Sequence, residues 1–229
     1  MNIHSLIVTG LLAAASTVHG ATVLVDFASV GGSSPTFPTG DTNGNAWTTI
    51  SAAGTAANLV DTTNAGSGIS LNVTFSPTST GFGGAAFNNT DPGTTVPGLL
   101  NQGFATGDGV FANNGTTGFV TLSLTGLAAN SSYAITVYGG RNTSWTSGSA
   151  AIQSGDGTST LGTYGNRQSL TFTILADNTG AASFRFTEQG GTNTADSATL
   201  NAMSITAVPE PSAALLGSLA VLGLLRRRR

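Results

Sequence analysis

A two-residue hydrophobic period, returning along most of the chain, constrains its fold more than any other feature. Ile69, Leu71, Val73 and Phe75 alternate with Ser70, Asn72 and Thr74, the spacing at which successive side chains fall on opposite faces of a strand. Val23, Val25 and Phe27 have the same pattern, as do Val120, Leu122 and Leu124, and again Tyr133, Ile135 and Val137. Leu170, Phe172 and Ile174 read as one arm of a hairpin whose other arm carries Phe184 and Phe186, turned by Ala176-Asp177-Asn178-Thr179-Gly180. Met203 and Ile205 close the series, with Leu200 out of phase, which calls for a bulge or a later strand start. No stretch of residues 21–207 carries a 3.6-residue stripe. Such a sequence predicts an all-β body: an antiparallel β-sandwich of the jelly-roll kind. Three irregular segments interrupt it, Gly31 to Gly44, Ser76 to Gly118 and Gly139 to Gly165. The second is long enough to hold short strands around Phe82, Phe87 and Phe104.

The side-chain inventory of this body removes most enzyme classes. Cysteine and lysine are absent from the whole chain, and both histidines, His4 and His19, precede residue 21. A serine nucleophile therefore lacks its usual base, a zinc site its usual ligands, and a phosphate loop its lysine. Gly81-Phe82-Gly83-Gly84-Ala85-Ala86 fits a dinucleotide fingerprint, but Asn88-Asn89-Thr90-Asp91-Pro92-Gly93 follows where a helix is required, so it reads as a turn. No carboxylate pair stands out for glycoside hydrolysis. No catalytic residue is assigned. Arg141, Arg167 and Arg185 against eight aspartates and Glu188 leave the body a net charge of −6, which cannot neutralise a phosphate backbone and excludes nucleic acid as a partner. Polarity comes from Thr, Ser, Asn and Gly instead.

Two binding sites can be nominated. Asp41-Thr42-Asn43-Gly44-Asn45 sets Asp41, Asn43 and Asn45 at alternate positions, the way a loop wraps calcium, although Ala46 and Ala52 depart from the EF-hand pattern. The same composition makes ordinary turns. For a sugar, Tyr138, Arg141, Asn142 and Trp145 gather aromatic faces and polar groups just after a strand, with Trp47 as a second wall. Large aromatics are also the usual stuff of cores.

The two ends read as addresses. Residues 1–20 hold an apolar run from Leu6 to Ala15 and a small-residue context at Val18-His19-Gly20, a signal peptide for the Sec translocon. Residues 208–229 hold Pro209-Glu210-Pro211, an uncharged Leu/Ala/Gly-rich helix over 212–225, and Arg226, Arg227, Arg228 and Arg229. Arginines after an apolar helix orient it with its charged end in the cytoplasm. Fourteen residues reach about 21 Å, short of the roughly 30 Å hydrocarbon layer, so the membrane contact is transient. This tail resembles the PEP-CTERM sorting signal of Gram-negative bacteria. The resemblance implies processing by an exosortase near Pro209-Glu210-Pro211, transient inner-membrane anchoring, and delivery to the cell surface or extracellular matrix in an exopolysaccharide or biofilm setting. Leu124-Thr125-Gly126-Leu127 followed by Tyr133 resembles the tyrosine corner of fibronectin-III-like sandwiches, which implies a hydroxyl tying a crossover to the backbone. Two readings of function follow: a non-catalytic structural or adhesive surface protein without cofactor, or a galactose-binding-like carbohydrate-binding module, calcium-stabilised, whose partner is a polysaccharide.

Overall fold

The computed structural model describes residues 21–28, 41, 43–76, 81–83, 98–100, 109–113, 118–140, 149–189 and 197–209. In chain order the strands are β1 (Val23–Phe27), β2 (Thr48–Ile50), β3 (Gly54–Ala56), β4 (Ser70–Phe75) and β5 (Gly81–Gly83). They continue with β6 (Gly109–Asn113), β7 (Phe119–Thr125), β8 (Ser132–Gly139), β9 (Ser149–Ser154) and β10 (Thr160–Tyr164). The last four are β11 (Gln168–Leu175), β12 (Ala182–Gln189), β13 (Ser197–Leu200) and β14 (Ala202–Ala207). A first sheet runs β11-β8-β14-β1-β2, a second β10-β9-β12-β7-β4-β3, and a small third β13-β6-β5.

The antiparallel pairs are nested. β9 pairs with β10, β8 with β11, β7 with β12, and β1 with β14. A single two-stranded ribbon rolled on itself gives that order, which is the jelly roll expected of the sequence. Only β2, lying parallel to β1, departs from antiparallel pairing among the described strands. Rolling puts β8, β11, β1 and β14 on one side and β7, β12, β9 and β10 on the other. The alternating residues meet between them: Val25, Ile135, Val137 and Met203 from one sheet, Leu71, Leu122, Phe184 and Phe186 from the other, all fully buried. Each such side chain contributes roughly 1.5–3 kcal/mol by leaving water, and without disulfides this burial holds the sheets together.

Tyr133 makes the corner that the sequence suggests. Its hydroxyl accepts the Ala128 amide at 2.8 Å where the chain crosses from β7 in one sheet to β8 in the other. Two expectations are corrected, and the phase break at Leu200 is explained. The strands carrying Phe172 and Phe184 do not form a hairpin: β11 pairs with β8, and β12 with β7 and β9, so the Asp177 turn carries the chain across the core. Phe172 and Phe184 then meet edge to face across it, ring centroids 5.1 Å apart. Leu200 is out of phase because it belongs to another sheet, β13 pairing with β6, and the later strand start expected there is that of β14 at Ala202, after a break at Asn201. Gly81-Phe82-Gly83 is a short edge strand on β6, not a turn. The short strand expected at Phe82 is therefore present, whereas Phe87 and Phe104 lie outside the described residues, as do residues 1–20 and the tail beyond Pro209. Among the described residues no helix is long and apolar enough to cross a membrane.

The two ends of the sandwich differ. At one pole the strands are joined by short turns, several built on an aspartate. The Asp177 carboxylate accepts the amides of Thr179 (2.8 Å) and Ala181 (2.9 Å) and the Thr179 hydroxyl (2.7 Å). Asp61 does the same for Thr63 and Ala65. Each loop places a residue with positive φ fourth, Gly180 (77°) or Asn64 (66°), residue types that tolerate the left-handed region. Asp156 is held by the Ser154 hydroxyl and by Thr158. Both ends of the body also leave from this pole, Thr22 and Thr206 touching through their hydroxyls at 3.1 Å. Segments 29–40, 141–148 and 190–196 depart from the opposite pole, after Ala28, Gly140 and Gln189.

These turns predict an acid-sensitive fold. The Ser154 hydroxyl and Thr158 pull the Asp156 carboxyl down to about 2. The Ala181 amide and the Thr179 hydroxyl lower Asp177, and the Thr63 hydroxyl and Ala65 amide lower Asp61. A folded pKa below the unfolded value of about 3.9 stabilises above that value and is lost as pH falls through the folded one. Urea midpoints should therefore stay level from pH 7 to about 5 and drop toward pH 2. Asp177→Asn, which keeps an acceptor oxygen but no charge, should make the drop shallower; a midpoint indifferent to acid would refute the assignment. Tyr133→Phe should cost about 1 kcal/mol of unfolding free energy by urea titration, one hydrogen bond's worth.

Candidate functional site

The pole opposite the turns is organised by one buried amide. Asn201 sits between β13 and β14, where the chain passes from the third sheet into the first, and it is fully buried. Its side-chain oxygen accepts the Gly140 amide at 2.7 Å and the Thr199 hydroxyl at 3.3 Å. Its own amide donates to the Tyr138 carbonyl at 2.8 Å, and its carbonyl accepts the Phe27 amide at 2.9 Å. The Tyr164 hydroxyl donates to the Thr199 carbonyl at 2.8 Å, and complete burial drives that phenol far above its ordinary range. Gly139 is required here, since a Cβ would lie 1.9 Å from the Thr199 oxygen. A fully satisfied buried network of this kind fixes geometry. It holds rigid the point from which segment 141–148 departs.

Tyr138, expected as a sugar platform, is spent in packing. It is fully buried in a second apolar cluster on the outer side of the first sheet, with Leu24, Ala202 and Leu100, against which Trp47 is packed. Ala202 stands beside Tyr138 in the ladder, and Leu100, from a 3-10 turn at Gly98–Leu100, covers the patch. The structure thus brings Tyr138 and Trp47 into one cluster but leaves no face of Tyr138 to a ligand. Arg141, Asn142 and Trp145 lie outside the described residues.

Asp41, Asn43 and Asn45 also meet, in a geometry other than that of a cation loop. Asp41 Oδ1 accepts the amides of Asn43 (2.7 Å) and Asn45 (3.0 Å). Its Oδ2 accepts the Trp47 indole N–H at 3.0 Å and the Asn45 side-chain amide at 3.1 Å. Burial raises this carboxyl, and the donors from Trp47, Asn45 and Asn43 outweigh it, leaving the pKa below the usual range. Calcium requires oxygens pointing inward; here N–H groups surround the carboxylate. The loop is a third turn of the Asp61 and Asp177 kind, with Gly44 at φ 80° in the fourth place, and it pins Trp47 against the cluster of Leu24 and Tyr138. Among the described residues no group of three or more acidic or histidine side chains is placed to hold a metal.

A different group is left exposed in part on the outer face of the second sheet. Arg185 on β12 lies between Thr121 of β7 and Gln153 of β9. Its guanidinium carbon stands 4.5 Å from the centre of the Phe119 ring, and one terminal nitrogen donates to the Asp156 carbonyl. Gly157 leaves the room: any Cβ there would collide with the guanidinium. Around it the outward positions are Asn72, Thr74, Thr121, Ser123, Gln153, Ser183 and Thr187, hydroxyls and amides without charge. A cation pinned over a ring offers fixed donors at low entropic cost. Sequence reasoning missed it because a lone arginine in Phe184-Arg185-Phe186 reads as an ordinary outward strand position, and its partners Phe119 and Asp156 are far away in sequence.

No protein-family model and no curated protein matches this chain. Among solved structures, it is similar to the CBM36-1 domain of a multidomain xylanase from the hindgut metagenome of Trinervitermes trinervoides, with 17% identity and a TM-score of 0.32 over 59% of this chain and 95% of that one. A xylan-binding module, CBM15, is 16% identical with a TM-score of 0.32, covering 60% and 97%. A CBM36 module in complex with calcium and xylotriose is 16% identical with a TM-score of 0.28, covering 58% and 98%. Likeness at this level carries nothing about what the present chain binds.

Proposed function

We propose that this chain is an exported, non-catalytic jelly-roll protein that binds neutral polysaccharide on the outer face of its second sheet, at Arg185 and Phe119. The observation that carries this reading is the guanidinium held over the Phe119 ring, its carbon 4.5 Å from the ring centre, within a field of hydroxyl and amide side chains. Sugar hydroxyls are both donors and acceptors, so a face rich in Thr, Ser, Asn and Gln matches them without the desolvation cost of charge. Export rests on the terminal signals: residues 1–20 direct the chain to the Sec translocon, and Pro209-Glu210-Pro211 marks exosortase processing at the cell surface or matrix. The fold is compatible with that. The Val208 amide still bonds to Ser132 at 2.9 Å, and Pro209, which has no N–H, ends the ladder, so the motif begins where the sheet stops. A purely structural or adhesive role is the second reading, and the complete burial of Tyr138 favours it.

Affinity electrophoresis against a panel of neutral β-linked glycans tests the binding. Arg185→Ala should weaken retention by at least tenfold, about 1.4 kcal/mol, with the melting temperature within a few degrees of wild type. Retention unchanged by both Arg185→Ala and Phe119→Ala would move the weight to the structural reading. Intact-mass measurement of the native product should find it starting near Ala21 and stopping near Pro209. A full-length chain recovered from the cytoplasm would end the export reading.

A further inference from the structure

The sheets expose several edges, and all but one are blunted. β2, β3 and β5 have three residues each, and β3 and β5 contain glycine. β10 has five residues and a register shift between Thr160 and Gly162. β13 is buried at Ala198, Thr199 and Leu200, and the Thr199 carbonyl is capped by Tyr164. Short strands, bulges and covers are the usual protections of an edge. Among the described residues β11 has none of them beyond its start, where β10 packs beside it and Leu170 meets Gly162. It is eight residues long, Gln-Ser-Leu-Thr-Phe-Thr-Ile-Leu, with no charge, proline or glycine, and it pairs with β8 in unbroken register from Gln168 to Leu175.

The parity of the ladder shows which groups this edge presents. Tyr138 and Ser132 turn their carbonyls away from β11, toward Asn201 and Val208, whereas the Gly139 carbonyl accepts the Arg167 amide. Odd-numbered residues of β8 therefore bond to β11, which by register engages Leu170, Phe172 and Ile174. The backbone N–H and C=O groups of Ser169, Thr171, Thr173 and Leu175 point outward, and no hydrogen bond to them is found among the described residues. Their side chains are small or apolar; Leu175 is 67% exposed. A strand template of this kind selects another strand of the same character, and the one the chain itself provides is β11 of a second copy. Antiparallel self-pairing about Phe172 would set Thr171 opposite the partner's Thr173 and Ser169 opposite the partner's Leu175, the self-complementary arrangement of a two-fold interface. It also brings no like charges together.

We propose that β11 is a homodimer interface, two copies joining their first sheets edge to edge into one continuous sheet. Sedimentation velocity on the full chain tests this over a range of concentrations. Wild type should shift to twice the monomer mass as concentration rises. Thr171→Lys, which puts a charge on the edge, and Thr173→Pro, which removes only an outward N–H, should each weaken association at least about tenfold. Both variants should keep the wild-type far-UV spectrum, since neither removes a backbone bond to β8; Thr171→Lys gives up only the hydroxyl contact with Thr136 at 2.9 Å. Thr121→Lys, on the other sheet, should leave the dimer intact. Wild type that stays monomeric at all concentrations overturns the proposal. So does association that persists in both edge variants, which would place it in the tail or elsewhere.

Discussion

Everything in this fold waits on the pairing of its first strand with its last. Val23 to Asp26 lie against Ala202 to Ile205 in the middle of the first sheet, so the two ends of the body are neighbours. Nested ribbon pairs close inward from that clasp, and each needs the previous one to hold its register. Such long-range pairing is entropically expensive and slow to form. Asn201 is where the cost is secured: its backbone bonds to Phe27 and Tyr138, and its side-chain oxygen to Gly140 and Thr199, join β1, β8 and the end of β13. Replacing its side chain with an apolar one would take this acceptor from the Gly140 amide and the Thr199 hydroxyl, at about 1–3 kcal/mol for each group left unsatisfied.

The polar side of the molecule follows a consistent economy. Charge is scarce, and most of what is described is used locally. Asp41, Asp61 and Asp177 each close a five-residue turn by accepting backbone amides, and Asp156 clamps Ser154 and Thr158. Arg185 is fixed by Phe119 and the Asp156 carbonyl. What remains on the sheet faces is hydroxyl and amide, which water, carbohydrate or another copy of the chain can satisfy equally well. That neutrality leaves β11 without the lysines by which edges are commonly guarded.

Strand alternation was the most legible part of the sequence, because a half-buried strand has no other way to look. The segments around Leu71, Leu122, Ile135, Phe172 and Phe184 all lie in strands with those residues inward. Pairing was less legible. The Asp177 turn has the chemistry of a hairpin, yet the chain crosses to the other sheet there, a choice made by core packing between Phe172 and Phe184 that local residues do not encode. β9 and β10 went unread within Gly139 to Gly165 because Ala150, Ala151 and Ile152 are buried consecutively and break the period. The site was least legible. Tyr138 and Trp47 looked like a ligand wall because nothing in the sequence says that Leu100 comes to cover them, and Asp41 looked like a metal ligand because turns and calcium loops draw on the same residues.

One consequence of the topology is mechanical. β14 is flanked on both sides, by β8 and β1, and the chain leaves it at the pole from which the aspartate turns also hang. A molecule held by that end and tugged at its far pole would carry the load lengthwise through β14. Its ladder bonds would then be sheared together instead of being peeled one at a time, so resistance to pulling would come from the sheet acting as a whole.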